Sequence, residues 1–558
     1  MRKVFPLFVV LGLVLAACQP TASETVSPSE AAAESAAPFV AMSYPEGGPQ
    51  DCAYGGEFSE IKAIDELTVE FTLCYPDPAF LSKIAFTAFA ISDTADLENT
   101  MENHLILAAP NGTGPYILTN WQRGIQLVLD KNPDYWGENV GADQLVFRWS
   151  TESAARLLEL QAGTVDGIDN PAPNDFDTIR GDTNLQLIER DALNTFYVGF
   201  NNTYEPWDDL RVRQAIAMAI DRQRIVDQFY PPGSDTASHF TPCAIPLACE
   251  GDEWYEFDVE AAQALLADAG LPNGFSTVLN YRDVVRGYLP DPNVVAQDIQ
   301  AQLKANLNID ITIEVQESGT FLDNGTAGLL EGLYLLGWGA DYPDPTNFLD
   351  YHFNNVANHQ FGDQLPEVTE PLTTAATTLD TEVRRAAYVE ANNAIKELVP
   401  MVPVAHGASA TAWLADVVGA HASPLGTESF AHVTPSDNQM VWMQNAEPIA
   451  LYCADETDGE TLRLCEQITE PLYVYEVGEV NAIPALAEEC VGNEDATVFT
   501  CSLRAGVTFH NGATFDANDV VLSYAVQWDA AHPLHIGRTG SFEYFAGFFA
   551  QFLNVPEE

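Results

Sequence analysis

The sequence is short of positive charge. Its 558 residues include 23 lysines and arginines against 81 aspartates and glutamates, a formal net charge of −58. A surface that negative repels phosphate backbones, which excludes nucleic acid as a partner. The excess reads as a solvated acidic shell, of the kind that keeps a protein soluble in salt. Long apolar runs are also missing: none reaches the ~18 to 20 residues that span a bilayer. There is no C-x-x-C, which leaves redox and zinc chemistry with little support. G-x-S-x-G and H-E-x-x-H are absent too, and with them two common signatures of exported hydrolases. A core, by contrast, is present. Apolar residues make up 47% of the chain and aromatics 10%, which excludes wholesale disorder. At roughly 100 to 200 residues per domain, the length suggests about three or four domain-sized lobes.

Arg2 and Lys3 precede an apolar run over residues 4–17. That is the length of a signal-peptide core and too short for a membrane span. The run ends in Leu15-Ala16-Ala17-Cys18, which resembles the lipobox of bacterial lipoproteins. The resemblance implies a leader over residues 1–18 and a lipid on Cys18. Residues 19–44, rich at first in Ser, Ala, Glu, Thr and Pro, are expected to be a flexible tether. Eight cysteines remain: Cys52, Cys74, Cys243, Cys249, Cys453, Cys465, Cys490 and Cys501. An even number in an exported chain suggests disulfides, although eight allow 105 connectivities. Cys490 and Cys501 flank the turn-like Asn493-Glu494-Asp495, so a hairpin there would set them opposite each other. Cys243 with Cys249, Cys453 with Cys465, and Cys52 with Cys74 are the other local pairs.

Helical and strand patterns alternate, which indicates an α/β protein. Helices are expected over 152–162, from a cap at Asp208 to about 228, from Asp258 to Gly270, over 294–306, over 381–398, and from Asp516 to about 528. Strands are expected at 165–168 and, from its two-residue alternation, at 309–315. No internal repeat is visible.

Several segments together resemble one family. They are Asn111-Gly-Thr-Gly-Pro-Tyr116, Asn132-Pro-Asp-Tyr-Trp136, Asp208-Asp-Leu-Arg-Val-Arg-Gln-Ala-Ile216, Ala219-Ile-Asp-Arg222, Pro272-Asn-Gly-Phe275 and Gly337-Trp-Gly-Ala-Asp-Tyr-Pro-Asp-Pro345. The likeness is to the family 5 extracellular solute-binding proteins of ABC transporters, the peptide- and nickel-binding group. It implies an α/β, two-lobed fold of the type II-like periplasmic-binding kind, with a ligand cleft between lobes. The order departs from the family. Glu470-Pro-Leu-Tyr473, Pro484-Ala-Leu-Ala-Glu488 and the segment from Leu503 to Gly512 resemble its amino-terminal region, yet here they come last. The chain therefore reads as a circular permutant. Lobe one is expected over 45–192 and 425–558, lobe two over 193–424, with crossings near 195–202 and 401–406. Residues near Val555 should then lie close to Phe58 and Ile61.

The resemblance also implies a site. A peptide brings an ammonium and a carboxylate out of water, and each needs an opposite charge. In peptide-binding relatives an Asp after the Gly-Trp pair holds the amine; the matching residue is Asp341. In dipeptide-binding relatives an Arg in an Arg-Pro-Tyr-like segment holds the carboxylate; the match is Arg286, in Arg286-Gly-Tyr288, where Gly replaces Pro. Trp338 and Tyr288 are expected to line the cavity, and the segment Tyr452-Cys-Ala-Asp455 to reach it from lobe one. No catalytic residue, metal or cofactor is assigned. The partners implied are a short peptide, an ABC permease in the cytoplasmic membrane, and a lipid anchor on that membrane's outer side, with the chain acting as a monomer. A metal chelate or an oligosaccharide is the alternative cargo. A hydrolase using Asp341 and Asp344 as acid and base is a distant one. His352, His359, His532 and His535 read as structural or solvated.

Overall fold

The computed structural model describes residues 39–137, 140–283, 286–354 and 358–555. The leader, Cys18 and the tether as far as residue 38 lie outside these. Aspartates start most of the long helices by accepting from backbone N–H groups of the first turn. Asp258 caps Val259–Asp268, which Gly270 ends at φ 85°. Asp380 caps Thr381–Leu398. Asp516 and Asp519 form a reciprocal capping box at Ala517–Trp528. Asp291 caps Pro292–Leu307, which begins ahead of the expected start. Proline is suited to a first helical turn because the N–H it lacks would have no helical partner there. The helix expected from Asp208 to 228 is instead two. Asp209 caps Leu210–Ala219, Ile220 turns extended, and Asp221 caps Arg222–Phe229. Arg222 holds the break by donating to the carbonyls of Ala237, Pro403 and Tyr255. The strand expected at 165–168 is Gly167–Asp169.

Three sheets carry the architecture. A seven-stranded sheet runs in the order Tyr116–Gln122, Gln126–Lys131, Gln144–Trp149, Gln439–Gln444, Gly167–Asp169, Ser409–Leu414, Leu185–Arg190. A six-stranded sheet runs Asp235–Thr236, Met401–His406, Asn194–Phe200, Leu333–Gly339, Ser276–Arg282, Asp310–Gln316. The chain passes between these two sheets at residues 191–193 and returns at 407–408. The return falls just after the crossing expected near 401–406 and before the lobe boundary expected at 424. Gly407 divides what reads as one strand-like run, and Ser409–Leu414 already pairs with Leu185–Arg190.

The third sheet has five strands and joins both parts of the chain: Ser43–Tyr44, Phe58–Asp65, Thr68–Leu73, Val498–Leu503, Ala487–Gly492. Cys490 and Cys501 are direct partners in its hairpin and are disulfide-bonded. Cys52–Cys74, Cys243–Cys249 and Cys453–Cys465 are bonded as well. The last described residues pack against the first strands. Gly56 bridges Ala550, and the Phe58 and Phe549 rings lie 4.8 Å apart. Asp529 accepts from Tyr44 and, at 2.9 Å, from Asn554.

Motifs far apart in sequence converge on the buried carboxylate of Glu470. It accepts from Thr113 Oγ1 at 2.7 Å, Trp136 Nε1 at 2.8 Å and the Tyr135 hydroxyl at 2.9 Å. Gly112 lies so close that a Cβ there would sit 1.9 Å from the Ile468 carbonyl oxygen. The Asn111–Tyr116 motif is thus a packing turn. Burial pushes Glu470 up to about 7 from an ordinary 4.5, against the opposing effect of its three donors. A carboxylate raised in the folded state penalises folding once ionised. The penalty is absent below about pH 4.5, grows to about pH 7, and stays constant above.

A second buried cluster is fully ionic. Arg190 reaches Asp169 at 2.7 Å and Glu428 at 2.5 Å; Arg463 reaches the same two carboxylates at 2.9 and 2.6 Å.

Two measurements follow from these clusters. In urea melts, Arg463→Met should lose about 3–5 kcal/mol by stranding a buried carboxylate. Removing the exposed Arg180–Glu189 pair should cost about 1 kcal/mol or less. Glu470→Gln keeps hydrogen-bonding capacity and removes the charge. Its stability relative to the parent should therefore rise by about 1–3 kcal/mol between pH 5 and pH 8, while Glu470→Ala should be destabilised at both.

Candidate ligand-binding site

The two crossings are stitched side by side. Gly407 N–H donates to Asn194 Oδ1 at 2.9 Å, and Asn194 Nδ2 donates to the Gly407 carbonyl at 2.8 Å. His406 Nδ1 lies 2.7 Å from the Asn194 carbonyl. Burial holds that imidazole down at about 4, so it stays neutral against the carbonyl's opposing influence. On Gly407 rests a tight turn in which Arg286 and Leu289 exchange backbone hydrogen bonds of 3.1 and 3.0 Å. A Cβ at Gly407 would lie 2.2 Å from the Gly287 carbonyl oxygen. Glycine at 407 is therefore what lets the Arg286 turn sit over the crossings. Tyr288 is seated in the same way: a Cβ at Gly337 would come within 2.3 Å of its ring.

This arrangement borders an open cavity of about 390 Å³. Its wall is formed by residues 191–194 and Gly407 and Ser409 of the crossings, Arg286 to Tyr288, Gly339 and Ala340, and Pro424 and Leu425. Arg286 and Tyr288, named from sequence, are thus brought together here. Asp341 follows Ala340 directly. Ala340 is pinned to the first crossing by a 2.7 Å bond from its N–H to the Leu193 carbonyl.

Asp341 is half-buried, and its carboxylate receives one neutral donor, Asn347 Nδ2, at 3.2 Å. The same Asn347 accepts from Asp341 N–H at 3.0 Å and from Trp338 Nε1 at 3.2 Å. Among the described residues no Lys or Arg makes an ion pair with Asp341. Burial pushes its carboxyl above the ordinary value despite the Asn347 bond. Its charge acts on the phenols of Tyr351, Tyr475 and Tyr544. Tyr475 and Tyr544 belong to the late part of the chain, so Asp341 faces both parts.

Two other expectations are corrected. Trp338 is not part of the cavity wall. Its ring stacks on Tyr351 at 4.2 Å and meets His352 edge-on at 5.1 Å, which makes it a prop for the Asp341 loop. Asp455 is occupied by its own fold. It accepts from Thr539 N–H and Oγ1 at 2.5 and 2.7 Å, Gly540 N–H at 2.9 Å and Phe542 N–H at 3.0 Å. Burial raises it, and those four bonds more than offset that, holding it below its ordinary value. His352 is buried beside Phe240 and Trp338 with Nδ1 on the Phe348 carbonyl. Missed from sequence were Asp191, Asn194 and Gly407. The signal available for them was their place at the two crossings.

The model of the bacterial extracellular solute-binding proteins, family 5 middle, matches residues 26–360 and 481–540. Di/tripeptide-binding protein 1 of Pseudomonas aeruginosa is 31% identical over 394 residues, covering 69% of this chain and 72% of that protein. The structure of HbpA2 from Haemophilus parasuis is similar at a TM-score of 0.64 and 29% identity, over 68% of this chain and 75% of that one. DppA from Helicobacter pylori, an ABC transporter-associated periplasmic binding protein solved with the peptide STSA, is similar at 0.51 and 28%, over 65% and 71%. The mixed sheets are those of the type II-like periplasmic-binding fold, whose members here bind solutes for transporters and are not enzymes. With its family model matched over most of the length and its fold shared with solved members, this chain belongs to the bacterial extracellular solute-binding proteins of family 5.

Proposed function

We propose that the chain captures a short peptide between the six- and seven-stranded sheets and delivers it to an ABC permease, held at the membrane's outer side by lipid on Cys18. The observation that carries the peptide reading is Asp341. It is a half-buried carboxylate with a single neutral donor, next to a cavity whose wall carries Arg286. A ligand ammonium supplies the charge that Asp341 lacks, and a ligand carboxylate suits Arg286. Relatives named for di- and tripeptides, and one solved with a peptide bound, support the same cargo. Contact with both sheets would let a peptide favour closure, since a ligand shifts an equilibrium by its differential contacts.

Native mass spectrometry of protein purified without refolding tests the cargo. A co-purifying peptide of a few residues is expected; a bound sugar or metal chelate would overturn the peptide reading. By calorimetry, Asp341→Asn should weaken peptide binding roughly 10- to 100-fold, the value of one charged hydrogen bond. The pH dependence has a definite sign. Ammonium binding needs Asp341 ionised, and its carboxyl is raised, so affinity should fall on acidification at a higher pH than an ordinary aspartate would give. The Asn variant should lack that step.

The permuted order is part of the reading. It is supported by Asp529, which binds both Tyr44 near the start of the described chain and Asn554 near its end. Reopening the chain in the exposed turn at residues 436–438, with residue 555 joined to residue 41, should give a folded protein with unchanged peptide affinity. An insoluble or non-binding product would count against the permutation.

A further inference from the structure

Tyr342, the residue after Asp341, is buried, and two of the groups that bury it come from beside another sheet. Its ring meets Phe548 edge-on, with centroids 4.9 Å apart and planes at 63°. The Lys83 ammonium lies 5.6 Å from the same ring's centroid. Phe548 belongs to the helix Glu543–Phe549 and Lys83 to the helix Phe80–Lys83. Both helices pack on the five-stranded sheet, through Phe549 on Phe58 at 4.8 Å and Phe80 on Phe499 at 4.4 Å. Tyr342 itself follows Leu333–Gly339, a strand of the six-stranded sheet. It therefore links these two sheets, which the backbone crossings do not do.

The contact is well seated. Edge-to-face aromatic pairs gain more than their area burial alone. The Lys83 ammonium is buried between Glu57 at 2.9 Å and Asp77 at 2.8 Å. Burial opposes its charge, and the two carboxylates more than offset that and keep it protonated. A cation over a ring gains most where water is excluded. The Tyr342 hydroxyl contributes less. Among the described residues it accepts only from Thr346 Oγ1 at 3.3 Å, and Thr346 has Asp344 Oδ1 nearer, at 2.9 Å. The ring is what the contact holds.

On one side of Tyr342, Asp344 is fixed by Arg384 and by capping its helix. On the other, the Asp341 carboxylate has only the Asn347 amide among the described residues. One backbone step, about 3.8 Å, separates Asp341 from Tyr342. The Asp341 charge also acts on Tyr475 and Tyr544, in the same late segment as Phe548. We infer that Tyr342 is a positioning residue: seated against Phe548 and Lys83, it sets Asp341 relative to the five-stranded sheet, so that docking of that sheet and placement of the ammonium-binding carboxylate are one event. The role of Asp341 rests on the peptide reading above; the Tyr342 contact does not.

The wild type, Tyr342→Ala, Tyr342→Phe and Phe548→Ala would be compared by small-angle scattering without added peptide, and by surface plasmon resonance with trialanine as the probe. Both alanine variants should release trialanine about tenfold faster, the size of one lost edge-to-face pair, with association within about threefold. Their radius of gyration should exceed that of the wild type. Tyr342→Phe keeps the ring and should restore both readings. A ring that merely filled a core would lower the melting temperature and leave release rate and radius as in the wild type. Phe548→Ala removes the seat from the opposite side, so the test stands even where Tyr342→Ala fails to fold. Wild-type release rates in the alanine variants would overturn the positioning role, and wild-type radii the contact between sheets. Release from Tyr342→Phe as fast as from Tyr342→Ala would overturn the assignment to the ring. Failure of trialanine to bind any of the proteins would overturn the peptide reading and the positioning role with it, and scattering alone would then decide the contact.

Discussion

The buried quartet of Arg190, Asp169, Glu428 and Arg463 is the constraint on which the site depends. Each guanidinium bridges both carboxylates and each carboxylate meets both guanidiniums, at 2.5 to 2.9 Å. Any one of these ions taken from water alone costs several kcal/mol. Together they offset one another, and only in this geometry. Burial alone would raise Glu428; the two guanidiniums overcome it and hold that carboxyl well below the ordinary range. The quartet ties the strands Gly167–Asp169 and Leu185–Arg190 to the helix Gly459–Ile468 and to the loop that carries Glu428. Pro424 and Leu425, just before Glu428, and Asp191, just after Arg190, are cavity wall. The seven-stranded side of the site is thus set by charges it does not expose.

The same accounting separates two aspartates three residues apart. Asp344 caps the helix Pro345–Leu349 and takes both 3.0 and 3.1 Å bonds from one Arg384 nitrogen. Its charge is spent on structure. Among the described residues Asp341 has only a neutral amide, from a residue that also braces its own backbone and Trp338. Tyr342 between them packs its ring 4.9 Å from Phe548 of the late segment. The loop is therefore rigid at one aspartate and electrostatically unfinished at the other.

Much of the frame was legible in sequence because it is local. Aspartate caps, the Gly270 stop, the alternation near 309–315 and the Cys490–Cys501 hairpin need only neighbouring residues to be read. The misreadings have the opposite character. Asp455 matches a ligand-facing position by motif, but the donors that occupy it are at residues 539–542, over 80 residues away. Trp338 sits in the right motif, and whether its ring faces a cleft or Tyr351 is decided by a turn beyond it. The helix from Asp208 breaks because Arg222 is drawn to carbonyls on three other segments. Asp191 carried no local signal at all; its place in the cavity wall comes from where two sheets meet.

Chain order bears on how these parts depend on one another. The six-stranded sheet uses residues 194–406 without interruption from elsewhere except its crossings. The five-stranded sheet closes only when Thr68–Leu73 pairs with Val498–Leu503. The Glu470 cluster likewise needs donors more than 330 residues away. Long loops of this kind carry an entropic cost that grows only slowly with length, so such distant pairings are tolerated when the contacts made are dense. They are dense here: Glu470 takes three donors, and Phe58 meets Phe549, Tyr524 and Trp528. The cavity lies at the junction of the continuous part and the discontinuous one. It is bounded by the two backbone crossings, where Asn194 and Gly407 hold each other. Ligand chemistry is thereby concentrated where the sheets share the least backbone, and where contact with both has the greatest leverage on their relative position.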